Sequence, residues 1–177
     1  MNIYQQHQTN LITTMTSLPQ TIRWNAGELY LLDQTKLPIE VIEEKQESVE
    51  QVWDSIKQLK VRGAPAIGVA GAYGLLVAIR EQTALNKKEL LQEIEVKAEY
   101  LDSARPTAVN LKWALNRMLK SAKTFSGDDS KALYRHLEEE AIRIHEEDVQ
   151  LCLKMGINAV LLIKEGMGVL THCNAGA

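Results

Sequence analysis

The chain has 177 residues, of which 45% are hydrophobic and 24% charged, and its formal net charge at pH 7 is −3. This composition is typical of a globular protein, and the acidic balance argues against a nucleic-acid partner because no basic stripe dominates any segment. No apolar run reaches the ~18 residues of a membrane span, so the sequence predicts no membrane partner. Because Cys152 and Cys173 are the only cysteines, we predict no disulfide framework and a cytoplasmic location.

The N-terminal region combines a polar leader with a strand-like segment. Residues 1–17 lack the charged and apolar regions of a signal peptide and are predicted to be a disordered leader. Ile22 and Trp24 then alternate with Arg23, Glu28–Leu32 is extended and apolar, and Pro38–Glu43 alternates again. This pattern predicts a small antiparallel β-meander, which must pack on helices because it is too small to form a core alone.

Helix start signals recur through the middle of the chain. Pro65 suits the first turn of a helix that opens near Ala64, because its missing N–H would be unpaired there anyway. The helix before it is predicted to end near Lys60. Three side chains are predicted to cap helix starts by accepting hydrogen bonds from the first turn: Ser48, Asn86 and Thr107.

The C-terminal region is predicted to be a long helix followed by a strand. The helix runs from about Ser130 to Lys154, and a further helical segment, Asn158 to Lys164, is predicted to end at Gly166. Gly168–Cys173 is β-prone and leads into a loop of small residues, as does the first strand of a parallel α/β sheet. Because a lone strand cannot pair its edges or bury both faces, a second, α/β domain is expected to follow.

Two arginines precede predicted helix starts and suggest an anion site. Arg62, Gly63 and Ala64 lie at the opening of one helix, where free backbone N–H groups and partial positive charge favour phosphate or carboxylate. Arg105 lies just before another helix, and two arginines suit a dianionic phosphate. The alternatives are that Arg62 caps another element and that Arg105 acts as a cap or pairs with Asp102.

Cys173 and His145 are the other candidates for chemistry. At the end of a strand, Cys173 is suited to act as a nucleophile, a proton-transfer group or a stabiliser of developing charge; the alternative is a buried, inert thiol. His172 points to the opposite side of that strand, so the two do not form a ready pair. His145 and the three acidic residues after it resemble a metal-binding set, but their spacing favours a solvated helix face, and no metal is predicted.

Four segments occur in this order in one protein family: VRGAPAIGVAGAYG, ARPTAVNLKWALNRM, IHEEDV and VLTHCNAGA. Over about Leu18 to Ala177 the chain resembles the N-terminal half of the S-methyl-5-thioribose-1-phosphate isomerases. The resemblance implies an aldose–ketose isomerase that converts 5-methylthioribose 1-phosphate to 5-methylthioribulose 1-phosphate in methionine salvage, as a homodimer and with no cofactor. It implies a fold between α+β and α/β: a β-meander and helical domain over residues 18–166, then the first strand of a Rossmann-like domain over residues 167–177.

The same resemblance assigns roles to individual residues. By motif, Arg62, Gly63, Ala64 and Arg105 correspond to substrate-binding residues, and Cys173 corresponds to the catalytic cysteine. The family also uses a glutamine, a proton-donating aspartate and an asparagine–lysine pair that have no match here, so the 177 residues are expected to be inactive by themselves. Two related groups remain alternatives: ribose-1,5-bisphosphate isomerases, and the non-catalytic α, β and δ subunits of the eukaryotic exchange factor for translation initiation.

Overall fold

The structure is a computed structural model that describes residues 19–170 and 172. In this part of the chain three short strands precede five helices. The predicted leader over residues 1–17 and the candidate Cys173 lie outside the described residues. The helices are α1 (Val49–Lys57), α2 (Ala64–Ile79), α3 (Lys87–Asp102), α4 (Val109–Thr124) and α5 (Ser130–Val160).

The predicted antiparallel meander is confirmed, but its third strand is displaced. Strands β1 (Ile22–Asn25), β2 (Glu28–Leu32) and β3 (Glu43–Gln46) pair in chain order, with Trp24 opposite Leu29 and Leu31 opposite Glu44. The prediction of a strand over Pro38–Glu43 was wrong. Of that range only Glu43 lies in β3, whereas residues 38–42 belong to the β2–β3 loop, in which Ile39 is 89% exposed and Pro38 has no N–H to give to a ladder.

Local capping fixes most helix starts as the sequence predicts. The Ser48 hydroxyl accepts a hydrogen bond from Gln51 N–H, and Asn86 Oδ1 accepts one from Glu89 N–H at 3.0 Å. The helix containing Pro65 opens at Ala64, as predicted. Helix α1 ends at Lys57, three residues before its predicted end, because Lys60 N–H turns back to Ser55 C=O at 2.9 Å.

Two predictions about the second half of the chain are corrected, and a third is not confirmed. Thr107 does not cap α4: Ala108 N–H bonds to Arg105 C=O at 2.9 Å, and this closed turn delays the first helical residue to Val109. Helix α5 continues through Gly156 to Val160 instead of giving way to a separate segment over Asn158–Lys164. The described residues of Gly168–Cys173 form no strand, and Thr171 and Cys173 lie outside the described residues, so the predicted strand is not confirmed and the domain expected after it stays a prediction.

Helix α2 is the centre of the molecule. Every residue from Ile67 to Ile79 is buried, as expected for a helix that is apolar on all sides. It contacts the other four helices as well as β1 and β2. The closest approach is at Gly68, where an added Cβ would lie 2.8 Å from the Asn110 carbonyl oxygen, so the absence of a side chain lets α2 and α4 meet backbone to backbone.

The described part of the chain has an exposed C-terminal end. Residues 160–170 are all exposed, whereas the core residues of α5 lie in its first half, ending at Ile144. Among residues 19–170 and 172, no helix combines the length and apolarity required to cross a membrane.

Candidate functional site

The segment that leads into α2 is held from both sides. Val61 is fully buried, which fixes the backbone directly before Arg62. Lys60 C=O accepts a hydrogen bond from Gln34 N–H at 2.9 Å, and Lys60 Nζ lies 2.8 Å from Glu44 Oε2. The β-meander therefore anchors the turn that presents Arg62.

Gly63 determines the backbone geometry at the beginning of α2. Its φ of 93° and ψ of 131° belong to a region that residues with a Cβ rarely adopt. Gly63 C=O accepts from Ile67 N–H at 3.0 Å, and no side chain caps the helix. The helix geometry leaves the N–H groups of Ala64 and Ala66 without acceptors inside the helix, and Pro65 has no N–H. This helix start therefore offers donors and partial positive charge at an exposed surface.

Both candidate arginines are available to a ligand. Arg62 is exposed and Arg105 is half-buried. Within residues 19–170 and 172, neither guanidinium forms a hydrogen bond or an ion pair with another residue. The alternative pairing of Arg105 with the Asp102 carboxylate is not formed, because the two residues are joined only by the Arg105 N–H to the Asp102 C=O at 3.2 Å.

The packing of α2 on α4 brings the beginnings of the two helices together. Gly68 lies four positions into α2, about 6 Å along its axis, and it contacts Asn110, the second residue of α4. Arg62 and Arg105 each precede one of these adjoining helix starts. The two arginines predicted to bind phosphate thus lie at the same end of the helical layer, although they are 43 positions apart in the sequence.

The candidate metal set does not converge. His145 turns inward from α5, and its Nδ1 lies 3.2 Å from the Tyr73 hydroxyl. Glu147 turns to α4 and forms two hydrogen bonds with Arg117. In the part of the chain that the structure describes, no three His, Cys, Asp or Glu side chains are arranged to hold a metal ion.

An aromatic cluster around Tyr73 was not predicted from the sequence. Trp24 stacks on Tyr73 with ring centroids 4.9 Å apart, and Trp24 Nε1 donates to Glu138 Oε1 at 2.9 Å. Burial raises the pKa of Tyr73, with smaller contributions from Glu146 and Glu138. Burial also lowers the pKa of His145, against the opposing effects of Asp148 and Glu146. A neutral His145 is therefore suited to accept a hydrogen bond from the Tyr73 hydroxyl.

Known proteins resemble this chain along most of its length. A 5-deoxyribose 1-phosphate isomerase of Clostridium botulinum (strain Loch Maree / Type A3) is 49% identical over 157 residues, which are 88% of this chain and 45% of that protein. A protein of the same name from Bacillus thuringiensis (strain Al Hakam) is 47% identical over 156 residues, again 88% of this chain and 45% of that protein. The chain thus spans less than half the length of these curated relatives.

Two solved structures share the fold. The 5-methylthioribose 1-phosphate isomerase of Pyrococcus horikoshii OT3 matches with a TM-score of 0.80 and 40% identity, covering 84% of this chain and 42% of that one. The translation initiation factor eIF-2B, subunit delta, of A. fulgidus matches with a TM-score of 0.76 and 39% identity, covering 84% and 43%. The model of the initiation factor 2 subunit family matches residues 60–177, which begin at the turn before Arg62 and include both adjoining helix starts. With two thirds of its length matched by that model, the chain belongs to the initiation factor 2 subunit family.

Proposed function

We propose that this chain is the N-terminal part of a sugar-phosphate isomerase, in which the start of α2 binds the phosphate of an aldose 1-phosphate. The observation that carries the proposal is the uncapped helix start at Gly63, with Arg62 exposed beside it and unpaired among the described residues. The names of the relatives from Clostridium botulinum, Bacillus thuringiensis and Pyrococcus horikoshii OT3 support the same reaction class.

The proposed roles of the residues at the start of α2 follow from the chemistry of a phosphate on C1. A dianionic phosphate gains charge-assisted hydrogen bonds from Arg62 and Arg105 and further donors from the first turn of α2. Gly63 presents no side chain, so the phosphate oxygens can approach the backbone closely. This binding holds C1 and C2 of the sugar in a fixed position relative to the catalytic groups.

The isomerisation itself requires an acid and a group that acts at C1 and C2. The C1 phosphate prevents spontaneous ring opening, so an acid must protonate the ring oxygen before the sugar opens. Hydrogen then moves from C2 to C1, which turns the aldose into a ketose without a net change in oxidation state. We propose that Cys173 assists this transfer or stabilises the developing charge, and that an aspartate outside the 177 residues is the acid. No redox cofactor is consumed.

The proposed substrates carry an uncharged group at C5. Our finer proposal is 5-methylthioribose 1-phosphate, converted to 5-methylthioribulose 1-phosphate in methionine salvage, with 5-deoxyribose 1-phosphate as the close alternative suggested by the relatives' names. The two sugars differ only in the methylthio group on C5. A ribose 1,5-bisphosphate isomerase would need additional cationic groups for the second phosphate.

The test uses a chimera in which this chain replaces its counterpart in the Clostridium botulinum relative, which supplies the other half of the enzyme. We expect the chimera to convert both 5-deoxyribose 1-phosphate and 5-methylthioribose 1-phosphate, measured as ketose formed. Arg62→Ala should raise KM about 10- to 100-fold, because one charged hydrogen bond contributes about 1.5–3 kcal/mol. The matched control is Lys88→Ala, which removes an exposed cation at the start of α3.

The remaining outcomes separate the alternatives. Cys173→Ala in the chimera should lower kcat strongly with little change in stability, and wild-type turnover would refute its assigned role. An unchanged KM in Arg62→Ala would refute the phosphate role of the α2 start. A folded chimera with no activity on either of these two sugars or on ribose 1,5-bisphosphate would favour the second candidate, a non-catalytic subunit, which the similarity to the delta subunit of A. fulgidus supports. Sedimentation of the same chimera tests the proposed homodimer.

A further inference from the structure

A second concave site lies at the opposite end of α2 from Arg62. The pocket has a volume of about 350 Å³ and lies between the β1–β2 turn, the end of α2 and the beginning of α5. Arg80 follows the last residue of α2, so 16 helical residues, or about 24 Å of helix, separate this pocket from the start of α2. The residues that line it are Gly27, Arg80, Thr83, Lys131, Tyr134 and Arg135.

Three cations surround this pocket without a carboxylate partner. Among residues 19–170 and 172, no carboxylate forms an ion pair with Arg80, Lys131 or Arg135. Arg80 is already positioned, because its Nη2 donates to the Glu47 carbonyl oxygen at 2.7 Å. The whole chain has a net charge of −3, whereas the three cations that are not ion-paired give this pocket a positive charge.

Three acidic residues close in sequence to the pocket residues have hydrogen-bond partners of their own. Glu28 lies 2.5 Å from Lys45 Nζ, which lowers the pKa of Glu28 most, and the charge of Arg80 lowers it further; Glu138 accepts a hydrogen bond from Trp24 Nε1. The Asp129 carboxylate caps the beginning of α5 by accepting from the Lys131 backbone N–H at 3.0 Å. That cap occupies the helix start itself, so the attraction for an anion comes from the side chains of the pocket.

The neutral groups of the pocket suit an esterified phosphate better than a bare metal or an apolar ligand. The Thr83 hydroxyl is a hydrogen-bond donor and acceptor. Burial raises the pKa of Tyr134 to about 12, so its phenol remains a protonated donor at neutral pH. The half-buried ring of Tyr134 also offers an apolar surface beside the cations. Planar guanidinium groups bind phosphate oxygens in pairs, and a lysine adds a point charge.

We propose that the pocket formed by Arg80, Thr83, Lys131, Tyr134 and Arg135 binds a small phosphate monoester at a site separate from the start of α2. This proposal does not rest on the proposed isomerase activity, because the residues that carry it lie just after α2 and at the beginning of α5, away from Arg62 and Gly63. A ligand here contacts both α2 and α5, so its binding joins the end of the central helix to the beginning of the longest one.

The test measures binding of inorganic phosphate and of glycerol 3-phosphate to the whole chain by amide NMR titration at low ionic strength. The Arg62→Ala variant serves as the background, so that phosphate binding at the start of α2 is weakened, and the amides followed are those of pocket residues. We expect saturable shifts of the Thr83 and Tyr134 amides in this background. Lys131→Gln with Arg135→Gln should raise Kd about tenfold or more. These two side chains are exposed, so the double variant is expected to fold like the parent.

A matched control separates a built site from general charge. Lys88→Gln with Lys120→Gln removes the same charge from two other exposed positions and should leave Kd within about twofold. The proposal is overturned if the Lys131/Arg135 variant binds phosphate as tightly as the parent, if both double variants weaken binding equally, or if the Thr83 and Tyr134 amides do not shift.

Discussion

Removal of the Arg117 side chain should destabilise the fold, because a buried carboxylate loses its main cationic partner. Arg117 on α4 joins two acids of α5: its Nε lies 2.5 Å from Glu140 Oε1, and its Nη2 lies 2.9 Å from Glu147 Oε1. The Glu140 side chain is only 12% exposed, whereas Glu147 is 48% exposed. Arg117→Ala therefore leaves the buried Glu140 with only the longer contact to Arg143, whose Nη2 lies 3.5 Å from Glu140 Oε2, while Glu147 can be solvated by water.

The magnitude follows from the burial of the two carboxylates. Breaking a fully buried ion pair costs about 3–5 kcal/mol, and an exposed pair contributes about 0–1 kcal/mol. Because the Arg117 side chain is 24% exposed, we expect an intermediate loss of about 2 kcal/mol, nearly all of it from Glu140. In a domain of this size that corresponds to a fall in Tm of about 4–8 °C.

The assay is urea unfolding followed by circular dichroism, with Lys123→Ala as the matched control. Lys123 also lies on α4 and reaches another helix, with Nζ 2.6 Å from Glu95 Oε1, but 59% of its side chain is exposed. Its removal should cost at most about 0.5 kcal/mol. Equal losses for the two variants would refute the argument from burial. Replacing Arg117 and Glu140 together by leucine should recover part of the loss, since the charges left without a partner, on Glu147 and Arg143, are then both exposed to water.

Other residues give further tests. Gly63→Ala should lower stability by about 1–2 kcal/mol in chemical unfolding, because φ of 93° strains a residue with a Cβ, and a neutral result would argue against that backbone conformation. Gly68→Ala forces its Cβ to 2.8 Å from the Asn110 carbonyl, so we expect a loss of about 1–3 kcal/mol, measured by the same method. The lowered pKa of His145 means that the unfolded chain binds its proton more readily, so stability should fall as the pH drops below about 6.5. His145→Gln should remove that part of the acid sensitivity between about pH 6.5 and 5, above the range in which carboxylates titrate, and an unchanged pH profile would contradict the assignment.

Local sequence signals were reliable where short-range physics decides the outcome. The caps at Ser48 and Asn86 and the opening of α2 at Ala64 depend on hydrogen bonds and backbone restrictions within a few residues. The prediction of the third strand failed because the alternation of apolar and polar residues over Pro38–Glu43 does not reveal which segment pairs with Leu32 and its neighbours. The cap predicted at Thr107 failed because a backbone turn between Arg105 and Ala108 displaced the helix start.

The sequence by itself determined the order of the helices, the presence of the meander, the uncapped start of α2 beside Arg62, and the family motifs that suggest an isomerase. Each of these is encoded by neighbouring residues or by ordered motifs. Only the tertiary structure brought the starts of α2 and α4 together, because their contact at Gly68 and Asn110 joins segments 42 positions apart. The pocket at Arg80 and the Arg117 network likewise depend on tertiary packing. Their charged side chains come from separate parts of the chain, and the spacing of residues in the sequence does not show which helix faces contact each other.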